Sequence, residues 1–166
     1  MDNYVCKIAS LEEMNTKWNY EIEIANKKEN WIIWKMENLK NMVDNKIIPY
    51  YGILDGNIIC EATANIDKSI VQNSDGLIDS NTVYLSAFRT NKEYQSKGYF
   101  SKLFKYMTKD LKQRGYKRVT LGVEPCETKN MQIYFKYGFT NFIKSDYEIY
   151  PDGTKTLVLY YGKDLD

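Results

Sequence analysis

The sequence contains no histidine, and this absence removes several kinds of active site. A Ser-His-Asp triad, a Cys-His pair and a histidine-ligated metal site all need the imidazole ring. The three cysteines, Cys6, Cys60 and Cys126, are far apart and show no Cys-x-x-Cys spacing, so we expect free thiols and no metal. Whatever this protein does, its chemistry must therefore depend on carboxylates, tyrosines, backbone amides or a bound cofactor.

The sequence also lacks a dominant charge and a long apolar run. Lysine plus arginine number 23 and aspartate plus glutamate 22, so no strong field draws the chain to nucleic acid. No apolar stretch approaches the roughly 20 residues of a membrane helix, and residues 1–12 lack the basic-then-apolar order of a signal peptide. We expect a cytoplasmic protein without nucleic-acid or membrane partners, a monomer or homodimer, folded as a single domain over 1–166.

Helical and extended patterns alternate along the chain. Apolar spacing and turn residues predict, in order, helices over 11–25 and 31–43, strands over 47–54, 58–65 and 83–90, a helix over 99–114, a strand over 119–123, a helix over 129–137, and strands over 139–150 and 155–161. Ser10 and Asn30 are suited to cap the first two helices, and Asp55-Gly56 predicts a tight hairpin turn. The strand–helix–strand run in the middle implies a parallel pair of strands, whose carboxyl ends commonly form a ligand crevice.

The segment before the third helix has the chemistry of an anion site. Gly98 stands between a predicted strand and a predicted helix, where a glycine lets the backbone approach a ligand closely. The unpaired N–H groups of the first helical turn and the helix dipole favour a pyrophosphate, and Lys97 adds a positive charge. Taken alone, the same pattern also fits an ordinary helix cap.

Neighbouring residues favour the anion-site interpretation of this segment over an ordinary helix cap. Gln95, Ser96, Lys97 and Gly98 match the first four positions of the Q/R-x-x-G-x-G/A motif, and Tyr134 is followed by Gly138-Phe139. From about Val83 to Phe139 the chain resembles the GNAT N-acetyltransferase family, which carries these features. Phe100 departs from the motif, which usually has glycine or alanine there. Its side chain must point away from the pyrophosphate if coenzyme A is to bind.

The resemblance implies a fold, a reaction and a set of cofactor contacts. The fold class is α/β (α+β), a GNAT-like mixed and mostly antiparallel sheet with helices on both faces and one parallel, splayed strand pair. The reaction is direct transfer of an acetyl group from acetyl-CoA, as cosubstrate, to a primary amine of a small molecule or peptide. The implied cofactor contacts are Phe88, Arg89, Thr90, Gln95, Ser96, Lys97, Gly98, Tyr99, Phe100, Ser101, Asn130 and Tyr134.

Three residues are candidates for proton transfer. Tyr134 stands where the family often places the acid that protonates the departing thiolate, and a tyrosine stays protonated at neutral pH. Glu61, in a predicted strand, and Glu124, at the end of another, are the candidate bases; ordinary surface carboxylates are the alternative for both. Cys126 also lies near that strand end, but no histidine is available to activate it as a nucleophile.

The sequence gives fewer specific signals for the side of the site that would bind the acceptor. We expect the first two helices and the polar insertion over 67–81 to line it, with Trp18, Tyr20, Trp31 and Trp34 forming an aromatic wall; core packing is the alternative for each of these rings. Two other functions stay open at this point. The chain could be a non-catalytic CoA-binding sensor or partner module, or a structural α/β domain without a ligand.

Overall fold

One mixed sheet of seven strands organises the protein. The computed structural model describes residues 3–166, so the first two residues of the predicted domain lie outside the described part. The strands are β1 (Tyr4–Ile8), β2 (Ile47–Leu54), β3 (Asn57–Asn65), β4 (Thr82–Thr90), β5 (Arg118–Val123), β6 (Asn141–Ile149) and β7 (Lys155–Asp164), and the helices are α1 (Leu11–Ile24), α2 (Lys28–Val43), α3 (Tyr99–Gln113) and α4 (Thr128–Lys136). The strand order is β1-β2-β3-β4-β5-β7-β6.

The single parallel pair in this sheet is β4 with β5, and every other neighbouring pair is antiparallel. The two parallel strands are joined by α3 and pair only from Thr82 to Tyr84 on β4 and from Arg118 to Thr120 on β5. Beyond these residues the strands part. The predicted fold class, with its splayed parallel pair beside the third helix, is confirmed.

The helices cover both faces of the sheet. Tyr50 and Tyr51 are adjacent on β2 and fully buried, and they enter different cores because side chains alternate across a strand. Tyr51 packs with Trp18 in the core under α1 and α2, whereas Tyr50 packs with Leu103 in the core under α3. No helix within the described residues combines the length and the apolar character that a membrane crossing requires.

Turn and cap residues fix most of the boundaries. Ser10 caps α1 as predicted, because it accepts a hydrogen bond from the Glu13 amide and the Glu13 side chain returns one to the Ser10 amide. Asp55 and Gly56 both have positive φ, which is the conformation of a tight hairpin turn.

The prediction that Asn30 caps α2 is wrong. The helix begins earlier, at Lys28, and its cap residue makes no side-chain hydrogen bond. The buried Asn30 side chain instead donates to the Asp152 carboxylate and accepts from the Asp152 amide. Asn30 therefore connects α2 to the turn between β6 and β7.

Candidate active site

A cleft opens between the end of β4, the first turn of α3 and one side of α4. Its volume is about 530 Å³. The residues that line it are Phe88, Arg89, Thr90, Tyr94, Gln95, Ser96, Gly98, Tyr99, Phe100, Ser101, Lys129, Asn130, Ile133, Tyr134, Lys136 and Tyr137. The β4 residues among them all belong to the part of that strand that has separated from β5.

The cleft brings together every predicted cofactor contact except Lys97. The Lys97 side chain is exposed, with its amine 5.9 Å from the ring centroid of Tyr94, which does line the cleft. The amine therefore stands near the rim of the cleft.

The first turn of α3 presents unpaired backbone donors to this cleft. Gly98 has a φ of +85° and serves as the helix cap residue, and Ser96 before it also has a positive φ of +61°. No side chain caps the helix. Because the first N–H groups of a helix have no intrahelical acceptor, the amides of Phe100 and Ser101 are available to an anion.

The Phe100 ring is turned from the helix end toward the core. Its centroid lies 5.1 Å from that of Phe88 and 5.9 Å from that of Tyr137. The ring thus packs between β4 and α4, and it forms part of the cleft wall rather than standing in front of the helix amides. The Phe100 side chain therefore points away from the position expected for the pyrophosphate, as coenzyme A binding would require.

A β-bulge distorts β4 beside the cleft. Thr63 on β3 pairs with Ser86, whereas Glu61 pairs with Arg89, so Ala87 and Phe88 together face one residue of β3. Ala87 has a φ of +57°, an uncommon value for a residue with a side chain. Bulges leave a residue outside the ladder, and here the neighbouring strand β5 has also separated. The free backbone groups at this point can hold an extended ligand arm and can donate to an oxygen that gains negative charge.

Tyr134 reaches the cleft from α4. Its ring packs edge to face on Phe88, at 5.8 Å between centroids, and on Phe139, at 6.5 Å. Its hydroxyl has no hydrogen-bond partner within residues 3–166. Burial raises the pKa of Tyr134 to about 12, and the charge of Glu127 adds to the rise. The hydroxyl is therefore protonated at neutral pH and free to donate.

Two lysines on α4 were missed by the sequence analysis. Lys129 and Lys136 line the cleft together with Ile133, and the three residues are spaced by four and three positions. This spacing places them along one face of a helix, so the predicted helix contained the signal that would have identified them. With Lys97 at the rim, they give the cleft a positive border suited to an anionic ligand.

Glu61, one of the two predicted bases, lies outside the cleft lining. Its side chain is 2% exposed, and its two oxygens accept hydrogen bonds from Arg89 at 3.1 and 3.2 Å. The Lys17 amine lies 3.7 Å from the same carboxylate and also bonds to Glu21. Glu61 is thus enclosed by two cations on the α1 side of the sheet.

Glu124, the other predicted base, lies at the end of β5. Its carboxylate accepts a hydrogen bond of 2.6 Å from the Tyr150 hydroxyl, and the Cys126 thiol is 3.7 Å away. Cys126 is exposed, and all three cysteines are free thiols, as expected. The described residues include no group of three or more histidine, cysteine, aspartate or glutamate side chains that could hold a metal ion.

A third carboxylate, Glu148 on β6, was not identified from the sequence. One of its oxygens accepts from the Tyr160 hydroxyl at 2.9 Å and from the Tyr84 hydroxyl at 3.5 Å. Burial raises the pKa of Glu148 above its ordinary value; the two tyrosine hydrogen bonds oppose the rise, and the charge of Glu124 adds to it. The half-buried carboxylate is therefore within reach of the charge of Glu124.

Aromatic rings form a continuous row on the α2 side of these carboxylates. Trp18, Trp31, Trp34 and Tyr150 follow one another with centroid distances of 6.0, 5.5 and 5.4 Å. The Arg89 guanidinium stacks on the first two rings, 4.9 Å from each. Tyr20 lies apart from the row, and its ring is contacted by the Lys17 amine instead.

Comparison with known proteins identifies a family and a fold. The family model described as the acetyltransferase (GNAT) family matches residues 11–139. NAA60 from Arabidopsis thaliana in complex with a bisubstrate analogue is similar in structure, with a TM-score of 0.73, 14% identity, and coverage of 99% of this chain and 100% of that chain.

Two bacterial structures are similar to a comparable degree. The ribosomal-protein-S18-alanine N-acetyltransferase from Escherichia coli has a TM-score of 0.69 at 14% identity, over 98% of this chain and 94% of that one. The putative acetyltransferase yncA from Salmonella typhimurium, solved with its cofactor acetyl-CoA, has a TM-score of 0.65 at 14% identity, over 99% and 95%. No curated protein sequence matches this chain significantly.

Proposed function

Since this chain belongs to the acetyltransferase (GNAT) family, we propose that it transfers the acetyl group of acetyl-CoA to a primary amine of a small molecule or peptide by direct attack. The observation that carries the proposal is the juxtaposition of the separated β4 edge with the uncapped first turn of α3 in one cleft. An open strand edge suits an amide-containing arm, and a helix N-terminus suits a pyrophosphate.

The donor set in the cleft fits coenzyme A. The amides at the start of α3 and the lysines Lys97, Lys129 and Lys136 would meet its phosphates, and the bulge at Ala87 and Phe88 would meet its arm. Acetyl-CoA, when bound, supplies the thioester that the amine attacks. Tyr134 then acts as the acid, because its unpartnered hydroxyl can donate its proton to the departing sulfur.

The two sequence-predicted bases have unequal support. Glu61 is held by Lys17 and Arg89, so its oxygens are already engaged by cations. Glu124 lies at the end of β5, beside the gap that β4 leaves, and it has a tyrosine donor on one oxygen. Glu124 therefore remains a candidate for binding the acceptor, whereas Glu61 is better suited to support the fold.

We propose that the acceptor is a primary amine of a small molecule or peptide. The Escherichia coli neighbour acts on the alanine of a ribosomal protein, and the Arabidopsis thaliana neighbour was captured with a bisubstrate analogue. Both names are compatible with a peptide or small-molecule amine here. We propose the cytoplasm as the location, which the three free cysteines support, and a monomer or homodimer as the assembly.

Acetyl-CoA at about 100 times its Kd should stabilise the protein by about 2.7 kcal/mol, because it binds the folded state alone. Thermal unfolding with and without acetyl-CoA measures the effect, and an assay of free thiol in the presence of primary amines measures turnover. Stabilisation without thiol release from any amine would indicate the non-catalytic CoA-binding module. An unchanged melting temperature would reject the cofactor assignment.

Changing Gly98 to valine should weaken acetyl-CoA binding about tenfold or more, because a branched side chain would obstruct the donors at the helix start. The residue has a φ of +85°, so valine is also strained there in the free protein. Gly115→Val is the matched control: its φ is +97°, its added Cβ would also meet open space, and it lies past the far end of α3. Calorimetric titration that finds equal affinity in the two variants would reject the site.

A further inference from the structure

Hydrogen bonds connect Glu148, on β6, to the point where the two parallel strands begin to part. Its partner Tyr84 is the last residue of β4 that pairs with β5. A Cβ added at Gly122 on β5 would stand 2.9 Å from the Tyr84 hydroxyl oxygen and 3.0 Å from the Tyr160 ring. The absence of a side chain at Gly122 therefore lets both tyrosines converge on Glu148 over the opening of the gap.

The polar insertion before β4 holds the backbone on either side of Glu148. The Gln72 side chain donates to the Ile149 carbonyl at 3.0 Å and accepts from the Ile149 amide at 2.9 Å. The Asn73 side chain donates to the Tyr147 carbonyl at 2.9 Å and to the Tyr160 hydroxyl oxygen at 3.1 Å. These bonds fix both the strand that carries Glu148 and the hydroxyl that faces it.

The hydrogen bonds leave one oxygen of Glu148 available. The Tyr160 hydroxyl oxygen receives the Asn73 donor, so its own proton points to Oε1 of Glu148. Oε2 accepts no hydrogen bond within residues 3–166. A carboxylate that is oriented through one oxygen, partly shielded from water and open at the other oxygen is equipped to take a proton.

The charge around Glu148 also favours a cation as its partner. Among the described residues, neither Glu148 nor Glu124 forms an ion pair, although Glu124 is near enough to affect the titration of Glu148. Tyr150, which bonds to Glu124, ends the aromatic row that includes Trp34. Carboxylates without cations next to aromatic rings form a surface to which a protonated amine is attracted.

We propose that Glu148 is the general base of the transfer and that the acceptor reaches it as an ammonium ion. The inference rests on the proposed acetyltransferase function. An ammonium must lose two protons to become an amide. Oε2 of Glu148 takes the first and passes it to solvent. The second leaves the nitrogen for solvent once the C–N bond has formed. Tyr134 gives its proton to the sulfur as the C–S bond breaks and is then reprotonated from solvent, so that one proton is released overall.

The test compares three variants with the wild-type enzyme. Glu148→Gln keeps the shape and an acceptor oxygen for Tyr160 but cannot take a proton. Glu148→Asp keeps the acidity at a shorter reach. Asp146→Asn, on the same strand and exposed, removes one negative charge without touching the proposed base. Putrescine, tyramine, lysine amide and a peptide with a free amino terminus serve as acceptor probes. The best of them is used from pH 5, near the ordinary range of a glutamate, to about pH 10, near the ordinary pKa of an alkylamine.

At pH 7 we expect Glu148→Gln to lose about 10²-fold in kcat, with unchanged acetyl-CoA affinity. The loss should shrink as the pH rises, because the acceptor then arrives already neutral. The decline of kcat on the acidic side of the wild-type profile should be retained in Glu148→Asp and Asp146→Asn. In Glu148→Gln it should move to higher pH, toward the pKa of the acceptor amine. The rise in the pKa of Glu148 places the wild-type decline above the ordinary titration range of a glutamate.

Two failures are distinguishable. If the wild type turns over a probe and Glu148→Gln matches Asp146→Asn in rate and pH profile, the inference is overturned while the proposed function stands. A pH-independent loss in Glu148→Gln would also overturn it, since that result would indicate only a binding or structural role. If the wild type releases no thiol with any probe, the proposed function itself fails and the inference fails with it.

Discussion

Changing Glu61 to glutamine should lower the free energy of unfolding by about 3 kcal/mol, because the change leaves the buried Lys17 amine and the partly buried Arg89 guanidinium without their shared counter-charge. Both oxygens of Glu61 accept from Arg89, and the Lys17 amine lies 3.7 Å from one of them. Lys17 is itself buried, and within the described residues it keeps Glu21, Asn91 and the Tyr20 ring as partners after the change. Urea unfolding of the two proteins measures the difference.

A matched control separates this effect from loss of charge alone. Glu23 is exposed on α1, so Glu23→Gln should change the free energy of unfolding by less than about 0.5 kcal/mol. If Glu61→Gln is as stable as this control, the ion network does not support the fold. If Glu61→Gln is stable but its kcat no longer declines at acidic pH as the wild-type kcat does, Glu61 is the base that the sequence predicted. We expect the opposite pattern, with lowered stability and an unchanged decline of kcat at acidic pH.

The parts of the fold that were predictable are those set by local chemistry. The cap at Ser10 and the tight turn at Asp55-Gly56 each act within a few residues. The first strand, β1, was missed because five residues carry too short a pattern. It forms because β2 offers an edge, and because the Tyr4 hydroxyl donates to the Tyr99 carbonyl across the core.

In the candidate site, too, only the parts set by local sequence were predictable. The cleft was predictable because its residues come from one strand end, one helix start and one helix, all within a segment that resembles a family motif. Glu148 was not, because the role proposed for it depends on strand order. β7 pairs with β5 and β6 with β7, so Tyr160 connects Glu148 to the gap. No local pattern in the sequence around Glu148 indicates that Tyr160 lies next to it.

Changing Tyr134 to phenylalanine should lower kcat about 10²-fold and leave acetyl-CoA affinity and stability nearly unchanged. The ring contacts with Phe88 and Phe139 survive the change, and the hydroxyl makes no hydrogen bond within the described residues that would be lost. What the variant lacks is the donor for the departing sulfur. Steady-state kinetics with the chemical step shown to be rate-limiting measures the effect, and Tyr106→Phe on α3, whose ring is partly exposed, is the control.

The raised pKa of Tyr134 also predicts how activity depends on pH. An acid is active while protonated, so activity should fall only as the pH rises through about 12. A thiol has an ordinary pKa near 8.5, so transfer from a tyrosine of higher pKa is uphill. The hydroxyl therefore first stabilises the charge that develops on sulfur through a hydrogen bond and gives up its proton late, as the C–S bond breaks. The wild type should therefore show no alkaline decline from Tyr134 at ordinary assay pH. A loss in Tyr134→Phe that appears only in KM would indicate a binding role, and an unchanged kcat would leave the thiolate to depart without an acid.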